Sequence, residues 1–290
     1  MTVMRTLLVV GLVLNLARVV LGLPIISEVM QSTLPTECPS VGKAVVVTDY
    51  SHLSWQGRAL SLTELGCAYT PTSRLALGAA YRDCNGHGRS EQTQYIAHGW
   101  EAWGSLHLQA ERAQRPDLSL NAQIAHDTIN WKTDNAYSAL WGTTHGIDLC
   151  AGKHIGREYC QVDAGVEDVS LWGGKSPNST ATLLALGAAI HHHFTRVVDG
   201  HLALAGYRDN YAGGVRHTYA LLAGMRAGRA GQPYLGCSVS YFPRGIPLAG
   251  TPLSMAAMTW KAEKTWALDS SSTFMTQSIG YVSVEAGIPF

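Results

Sequence analysis

Apolar and polar residues alternate with a period of two through much of the chain. The clearest case is the last stretch, Gly280-Tyr-Val-Ser-Val-Glu-Ala-Gly-Ile-Pro-Phe290. Gly280, Val282, Val284, Ala286 and Ile288 form one row, and Tyr281, Ser283, Glu285, Gly287 and Pro289 the other. Successive strand side chains point to opposite faces, so this stretch is a strand with one apolar and one polar face. Arg74 to Tyr81 reads the same way. Leu75, Leu77, Ala79 and Tyr81 share one face; Arg74, Ala76, Gly78, Ala80 and Arg82 share the other. In Tyr234 to Tyr241, Leu235, Cys237, Val239 and Tyr241 alternate with Gly236, Ser238 and Ser240. Large apolar groups on one side and small or charged groups on the other suit the wall of a barrel, with lipid outside and a crowded lumen inside.

Turn signals separate these segments. Short turns are expected at Thr70–Ser73, Gln114–Asp117, Gly152–Glu158, Val197–Gly200 and Ala230–Pro233. Longer connections are expected at Ser51–Arg58, Cys84–Thr93, Trp131–Asn135, Gly173–Ser179, Tyr211–Arg216 and from Phe242 to about Ser271. Short turns at one end and long loops at the other are the habit of transmembrane barrels. The alternation predicts an all-β, antiparallel up-and-down transmembrane β-barrel of about twelve strands over residues 43–290. Merging the weakest strands, 43–50 and 136–150, would give eight or ten. Tyr69 falls by a turn, and Tyr81, Trp131, Trp172, Tyr211 and Tyr241 toward the loop end, as interfacial girdles require.

Composition agrees with this pattern. Only 14% of residues are charged, and 21 basic residues balance 21 acidic ones. A soluble enzyme carries about 25% charged residues, and a nucleic-acid binder carries a basic excess, so neither class fits. Before the barrel, Arg5 and the apolar run Leu7 to Leu14 read as a signal peptide over residues 1–22. Residues 23–42 follow as an amino-terminal periplasmic segment. The six cysteines fit no zinc spacing. Cys150 and Cys160 flank an expected hairpin turn and are the first candidates to pair, while Cys67 and Cys237 read as small hydrophobes.

The terminal strand, ending on Phe290, resembles that of bacterial outer-membrane β-barrels. In that family the last strand closes the barrel, and its terminal aromatic is part of the signal read by the insertion machinery. The resemblance implies that Phe290, Ile288, Val284 and Val282 carry that signal here. It also implies location in the outer membrane of a bacterium, with membrane lipid and the insertion machinery as partners. The stretch from Tyr219 through Gln232-Pro-Tyr-Leu-Gly-Cys to Tyr241 is similar to the penultimate hairpins of eight-stranded OmpW-type barrels.

Candidate chemistry is sparse. His191 and His193 point the same way on a strand but have no companion Asp, Glu or Cys in sequence, so no metal site is assigned. His126 and Thr128 lie on the apolar face of the 118–128 strand. They are similar to the His-x-Ser pair of twelve-stranded outer-membrane phospholipases, but threonine stands where the serine would be. No catalytic residue, cofactor or nucleic-acid partner is expected. Arg74, Arg82, Glu111, Asp148, Asp163, Glu167 and Arg226 are the expected lumen-lining charges.

Barrels of eight strands are filled by side chains, and those of 16–18 hold an aqueous pore. A twelve-stranded barrel falls between, which points to a narrow channel or porin for small solutes. Two rivals are a surface adhesin or structural barrel that meets a host or extracellular ligand through loop 242–271, and a lipid-acting enzyme using His126 and Thr128.

Overall fold

In a computed structural model, the chain forms twelve antiparallel strands: β1 (Ala44–Trp55), β2 (Arg58–Thr72), β3 (Leu75–His87), β4 (Gln94–Gln109), β5 (Asp117–Thr133), β6 (Ala136–Ile155), β7 (Glu158–Gly173), β8 (Ser179–His193), β9 (Val198–Asp209), β10 (Arg216–Gly228), β11 (Tyr234–Phe242) and β12 (Ile279–Pro289). The described residues are 41–55, 58–87, 94–133, 136–173, 179–209, 215–228, 232–243 and 279–290. The expected signal peptide, most of the 23–42 segment, and most of loop 242–271, including its Trp260 and Trp266, lie outside them.

Each strand pairs with its sequence neighbour, and β1 pairs with β12, so the sheet closes on itself. The closing ladder runs from Val45 opposite Pro289 to Leu53 opposite Tyr281. Reciprocal bonds between Ala44 and Phe290, Ala44 N–H to Phe290 O at 3.0 Å and Phe290 N–H to Ala44 O at 2.9 Å, extend it to the terminal residue. Closure leaves no strand edge, so no row of backbone polar groups faces hydrocarbon unpaired.

The predicted alternation sorts inside from outside. On β3, Leu77 and Tyr81 face outward and are exposed, while Ala76, Ala80 and Arg82 face inward and are buried. On β11, Leu235, Val239 and Tyr241 are exposed, whereas Ser240 is buried. On β12, Val282, Val284 and Ile288 are exposed, with Phe290 at 66%. Exposed Leu65, Ile147, Val162, Leu202, Leu204 and Leu221 continue the belt around the wall. So extensive an apolar outer surface is tolerable only against hydrocarbon.

The connections differ from expectation at both ends: the turn expected at Val197–Gly200 lies at 194–197, that expected at Gly152–Glu158 shrinks to residues 156–157, and two expected loops shorten. Strands β1 and β2 continue to Trp55 and from Arg58, and β5 and β6 continue to Thr133 and from Ala136. The expected loops Ser51–Arg58 and Trp131–Asn135 are therefore mostly strand. Their polar residues suggested loops, but a strand that rises beyond the hydrocarbon layer no longer needs an apolar outer row. At the other end, Gly156 takes φ 75° between Ile155 and Glu158, which are paired. That is the glycine-first geometry of a two-residue hairpin.

The cysteine expectation is corrected. Cys67, Cys84, Cys150, Cys160 and Cys237 are all free thiols. Cys150 is buried toward the lumen beside Ser119 and Asp163, its register partners. Cys160 follows inward-facing Tyr159 and sits on the opposite face of the wall. One odd-numbered step in register separates the pair more firmly than closeness in sequence unites it.

Candidate functional site: the barrel lumen

The lumen is built from the inward rows of the strands, and its two halves differ. Near the middle and toward the loop end it is packed. Glu64, Arg82, Glu101, Asp127 and Glu167 are all buried there, together with Leu183, Val169, Tyr207 and Phe242. Arg82 holds the charged part together. Its Nη1 donates to Glu101 Oε2 at 2.8 Å and its Nη2 to Asp127 Oδ2 at 2.7 Å. Glu64 lies opposite Arg82 in register. Four adjacent strands, β2 to β5, thus contribute to one ion cluster.

Glycine lets this cluster form. Gly99 lies between Arg82 and Asp127 in the ladder, as register partner of both. A Cβ on Gly99 would collide with the Asp127 carboxylate. Because the position is empty, Arg82 reaches across β4 to an acid on β5. The same device recurs below it. Trp103 lies over its partner Gly78, His201 over Gly224, and Tyr234 over Gly228 and Gly287. Large inward side chains lie flat against the wall because the residue opposite has no side chain. Trp103 in this position packs on Val45, Val47, Ala68 and Tyr234.

Toward the turn end the lumen opens into a cavity of about 550 Å³. Arg74, Glu111, Asp117, Asp148, His191, His193, Asp199, His201 and Arg226 line it, with Asn121, Gln123 and Gln161 among them. Most of its acids are held by neighbouring side chains. Asn121 donates to Asp148 at 2.8 Å, Tyr159 to Asp117 at 2.8 Å, and His193 Nδ1 lies 2.5 Å from Asp199. The Arg226 guanidinium stacks over the Tyr234 ring at 4.6 Å. A chain of rings crosses the wall: His154 to Tyr159 at 4.9 Å, Tyr159 to His191 at 5.9 Å, and His191 to His201 at 5.8 Å.

The cavity rim is set by the 110–116 turn. Glu111 accepts from the His154 backbone N–H at 2.9 Å and lies 2.6 Å from its Nδ1. Lys153 donates to Ala113 O at 2.8 Å. These contacts tie the turn onto the end of β6. They also hold the Glu111 carboxyl below its ordinary range, the His154 side chain contributing most.

The structure divides the seven expected lumen charges. Arg82 and Glu167 belong to the packed half, Arg74, Glu111, Asp148 and Arg226 line the cavity, and Asp163 is buried beside it, opposite Cys150 and accepting from Gln161. His191 and His193 share its wall, and among the described residues no three His, Cys, Asp or Glu side chains converge as metal ligands. His126 faces outward, between Trp100 at 6.4 Å and Trp172 at 5.9 Å. Thr128 is one row on and lies opposite Trp141 and His98. The intervening acid, Asp127, points inward to Arg82. Among the described residues no carboxylate orients His126.

Sequence reasoning missed Glu64, Glu101, Trp103, Asp127, Tyr159 and His201 as lumen groups. The signal for β4 was present: Ala97, Gly99, Glu101 and Trp103 alternate with Ile96, His98, Trp100 and Ala102. Trp103 was obscured because tryptophan in a barrel is expected at an interface.

No protein-family model matches the chain. No curated protein matches it in sequence. Solved structures do match in fold. The translocator domain of the autotransporter NalP from Neisseria meningitidis is 10% identical, covers 86% of this chain and 87% of its own, and has a TM-score of 0.54. An outer membrane channel from Pseudomonas putida F1 is 12% identical, covers 88% of this chain and 99% of its own, with a TM-score of 0.54. The β domain of the Bordetella autotransporter BrkA is 10% identical over 84% of this chain and 97% of its own, with a TM-score of 0.50. The shared feature is the fold of bacterial outer-membrane β-barrels. The expected OmpW-type likeness gains no support: twelve strands, not eight, close this barrel.

Proposed function

We propose that the protein is an outer-membrane barrel of a bacterium that passes small polar solutes through a narrow, gated lumen. The observation that carries this reading is the cavity of about 550 Å³, lined by groups of both signs, none of which belongs to the buried Arg82 cluster. A purely structural eight-stranded barrel fills its whole interior with side chains. Here one half is filled and the other is open and polar. On this reading the termini and short turns face the periplasm, and the Arg82 layer is the gate. Oxygen- and nitrogen-bearing side chains around the cavity exchange hydrogen bonds with a passing solute in place of water. The fold of a channel from Pseudomonas putida supports the reading at the level of architecture.

The test is conduction by purified barrel in planar bilayers. Discrete conductance steps are expected. Arg226→Gln or Asp148→Asn should shift ion selectivity, because charges close to a permeating ion in a confined pore act strongly. Arg82→Ser should raise conductance. A barrel that is folded, as judged by heat-modifiable migration, yet silent with and without Arg82→Ser would refute the channel. Abolished surface binding on cutting 242–271 would then favour the adhesin. For the lipid hydrolase, His126 and Thr128 supply a histidine and a hydroxyl on the lipid face. Hydrolysis lost in His126→Ala is the result that would establish it.

A further inference from the structure

Arginines gather at the turn end. Each of the four fully described turns carries an arginine: Arg74 between β2 and β3, Arg112 and Arg115 between β4 and β5, Arg157 between β6 and β7, and Arg196 between β8 and β9. All are exposed, and among the described residues none of them engages an acid. The acids nearby are taken by other partners. Glu111 is held by His154, Asp117 by Tyr159, Asp199 by His193, and Glu158 lies 3.4 Å from His192 Nδ1. Three of these four, Glu111, Asp117 and Asp199, line the lumen cavity, whereas Arg112, Arg115, Arg157 and Arg196 do not. Arg74 and Arg226 line the cavity with these acids, while Arg112, Arg115, Arg157 and Arg196 stay outside it.

Apolar anchors stand on the same rim. Phe194 is 57% exposed, packs edge-on against His192 at 4.7 Å, and lies two residues from Arg196. Val197, Leu108, Tyr69 and Phe290 are exposed at the same end of the wall. An exposed aromatic beside an unpaired arginine at a strand end sits at the headgroup level, with the ring in the acyl boundary and the guanidinium among phosphates. Guanidinium groups bind phosphate oxygens in bidentate fashion.

From this arrangement we infer that Arg112, Arg115, Arg157 and Arg196 form a cationic crown that binds anionic phospholipid headgroups in the leaflet at the turn end. The geometry favours a lipid over an acidic periplasmic polymer because none of the four arginines lines the cavity, and exposed Phe194 and Val197 flank Arg196. The crown orders a shell of anionic lipid around the barrel. The inference rests on the membrane-barrel reading above and is independent of conduction.

The test uses the full chain folded into vesicles of equal parts phosphatidylglycerol and phosphatidylcholine. Lipids retained by the barrel are counted by native mass spectrometry. The wild-type protein should retain phosphatidylglycerol over phosphatidylcholine by about fivefold, the factor that one basic side chain near an anionic surface supplies. In about 1 M salt, where screening shortens to ~3 Å, the excess should fall toward unity. The variant Arg112→Gln, Arg115→Gln, Arg157→Gln, Arg196→Gln should retain both lipids equally, while the four Arg→Lys changes should keep part of the excess. Heat-modifiable migration shows that each variant is folded, and a single turn, Arg112→Gln with Arg115→Gln, serves if the fourfold variant is not. No phosphatidylglycerol excess in the wild type, or an excess unchanged in the folded glutamine variant, overturns the inference. So does arginine-dependent sedimentation with peptidoglycan fragments without any lipid excess. Loss of conductance with lipid excess intact would refute the channel reading alone.

Discussion

Arg82→Met removes the one guanidinium that holds Glu101 and Asp127 in the packed half of the lumen. The side chains of all three are buried, with exposures of 3%, 8% and 0%. Two charge-assisted bonds are lost, at 2.8 and 2.7 Å. Each such bond contributes about 1.5–3 kcal/mol net. The larger effect is what remains: three buried carboxylates, Glu64, Glu101 and Asp127, left without their cation. Breaking a buried ion pair by removing one partner costs about 3–5 kcal/mol. That is a large part of an ordinary domain's stability.

Equilibrium urea unfolding in lipid vesicles, followed by tryptophan fluorescence, measures the cost. Arg82→Met should lose about 3–5 kcal/mol. The quadruple variant Arg82→Met, Glu64→Gln, Glu101→Gln, Asp127→Asn should recover most of it, since it removes the uncompensated charges. Arg82→Lys should recover only part, because a point charge cannot fork to acids on two strands. If Arg82→Met costs under about 1 kcal/mol, the acids are solvated in the working protein, and the closed layer is not a barrier.

Three further outcomes follow from other parts of the barrel. Gly78→Val should cost about 1–3 kcal/mol by overpacking, since the Trp103 ring occupies the space where a Cβ would stand; the loss should shrink in the Trp103→Leu background, measured by the same unfolding assay. The Glu111 clamp on His154 depends on an ionised carboxylate whose pKa is lowered in the folded barrel, so its contribution is present above the unfolded value of about 4.3 and is lost as pH falls through the lower folded value; amide exchange in the 110–116 turn should rise over that acidic window in the wild type and be raised throughout in Glu111→Ala. Phe290→Asp should leave exported but unassembled chain in the periplasm, read as loss of the heat-modifiable band, because the last residue both completes the ladder with Ala44 and ends the outward row of Val282, Val284 and Ile288; normal surface assembly would show that Phe290 is not read.

The outer face of the barrel was legible because lipid imposes one rule on it. Leu77, Tyr81, Leu235 and Val284 each had to be apolar, and every second residue repeats the demand. Strand number followed from the turns. What failed was the reading of β1 and β5 near the loop end, where the strands outrun the hydrocarbon and the alternation lapses. The Cys150–Cys160 pairing failed for a different reason. It relied on distance along the hairpin and ignored parity: residues ten apart across a two-residue turn need not face the same way.

The lumen obeys no such single rule, and its order lies in pairs. Gly99 means little in one sequence, and neither does Asp127. Only the register shows that Asp127 occupies the space Gly99 leaves, within reach of Arg82. Gly78 with Trp103 and Gly224 with His201 repeat the relation across other strand pairs. Once strands are paired, this becomes a usable rule: an inward glycine marks where its neighbour's long side chain lies flat, and so where the lumen stays open beyond it. Arg82 shows the converse. Stretched across Gly99 to Asp127, it bridges β3 and β5 and so joins non-adjacent strands inside the barrel. A barrel wall holds each strand only to its two neighbours. A side chain that skips one of them stiffens the wall against flattening, and a lumen cavity beside such a bridge keeps its shape. On the channel reading proposed above, the Arg82 layer both closes the bore and braces the wall, so its removal should alter stability and conduction together.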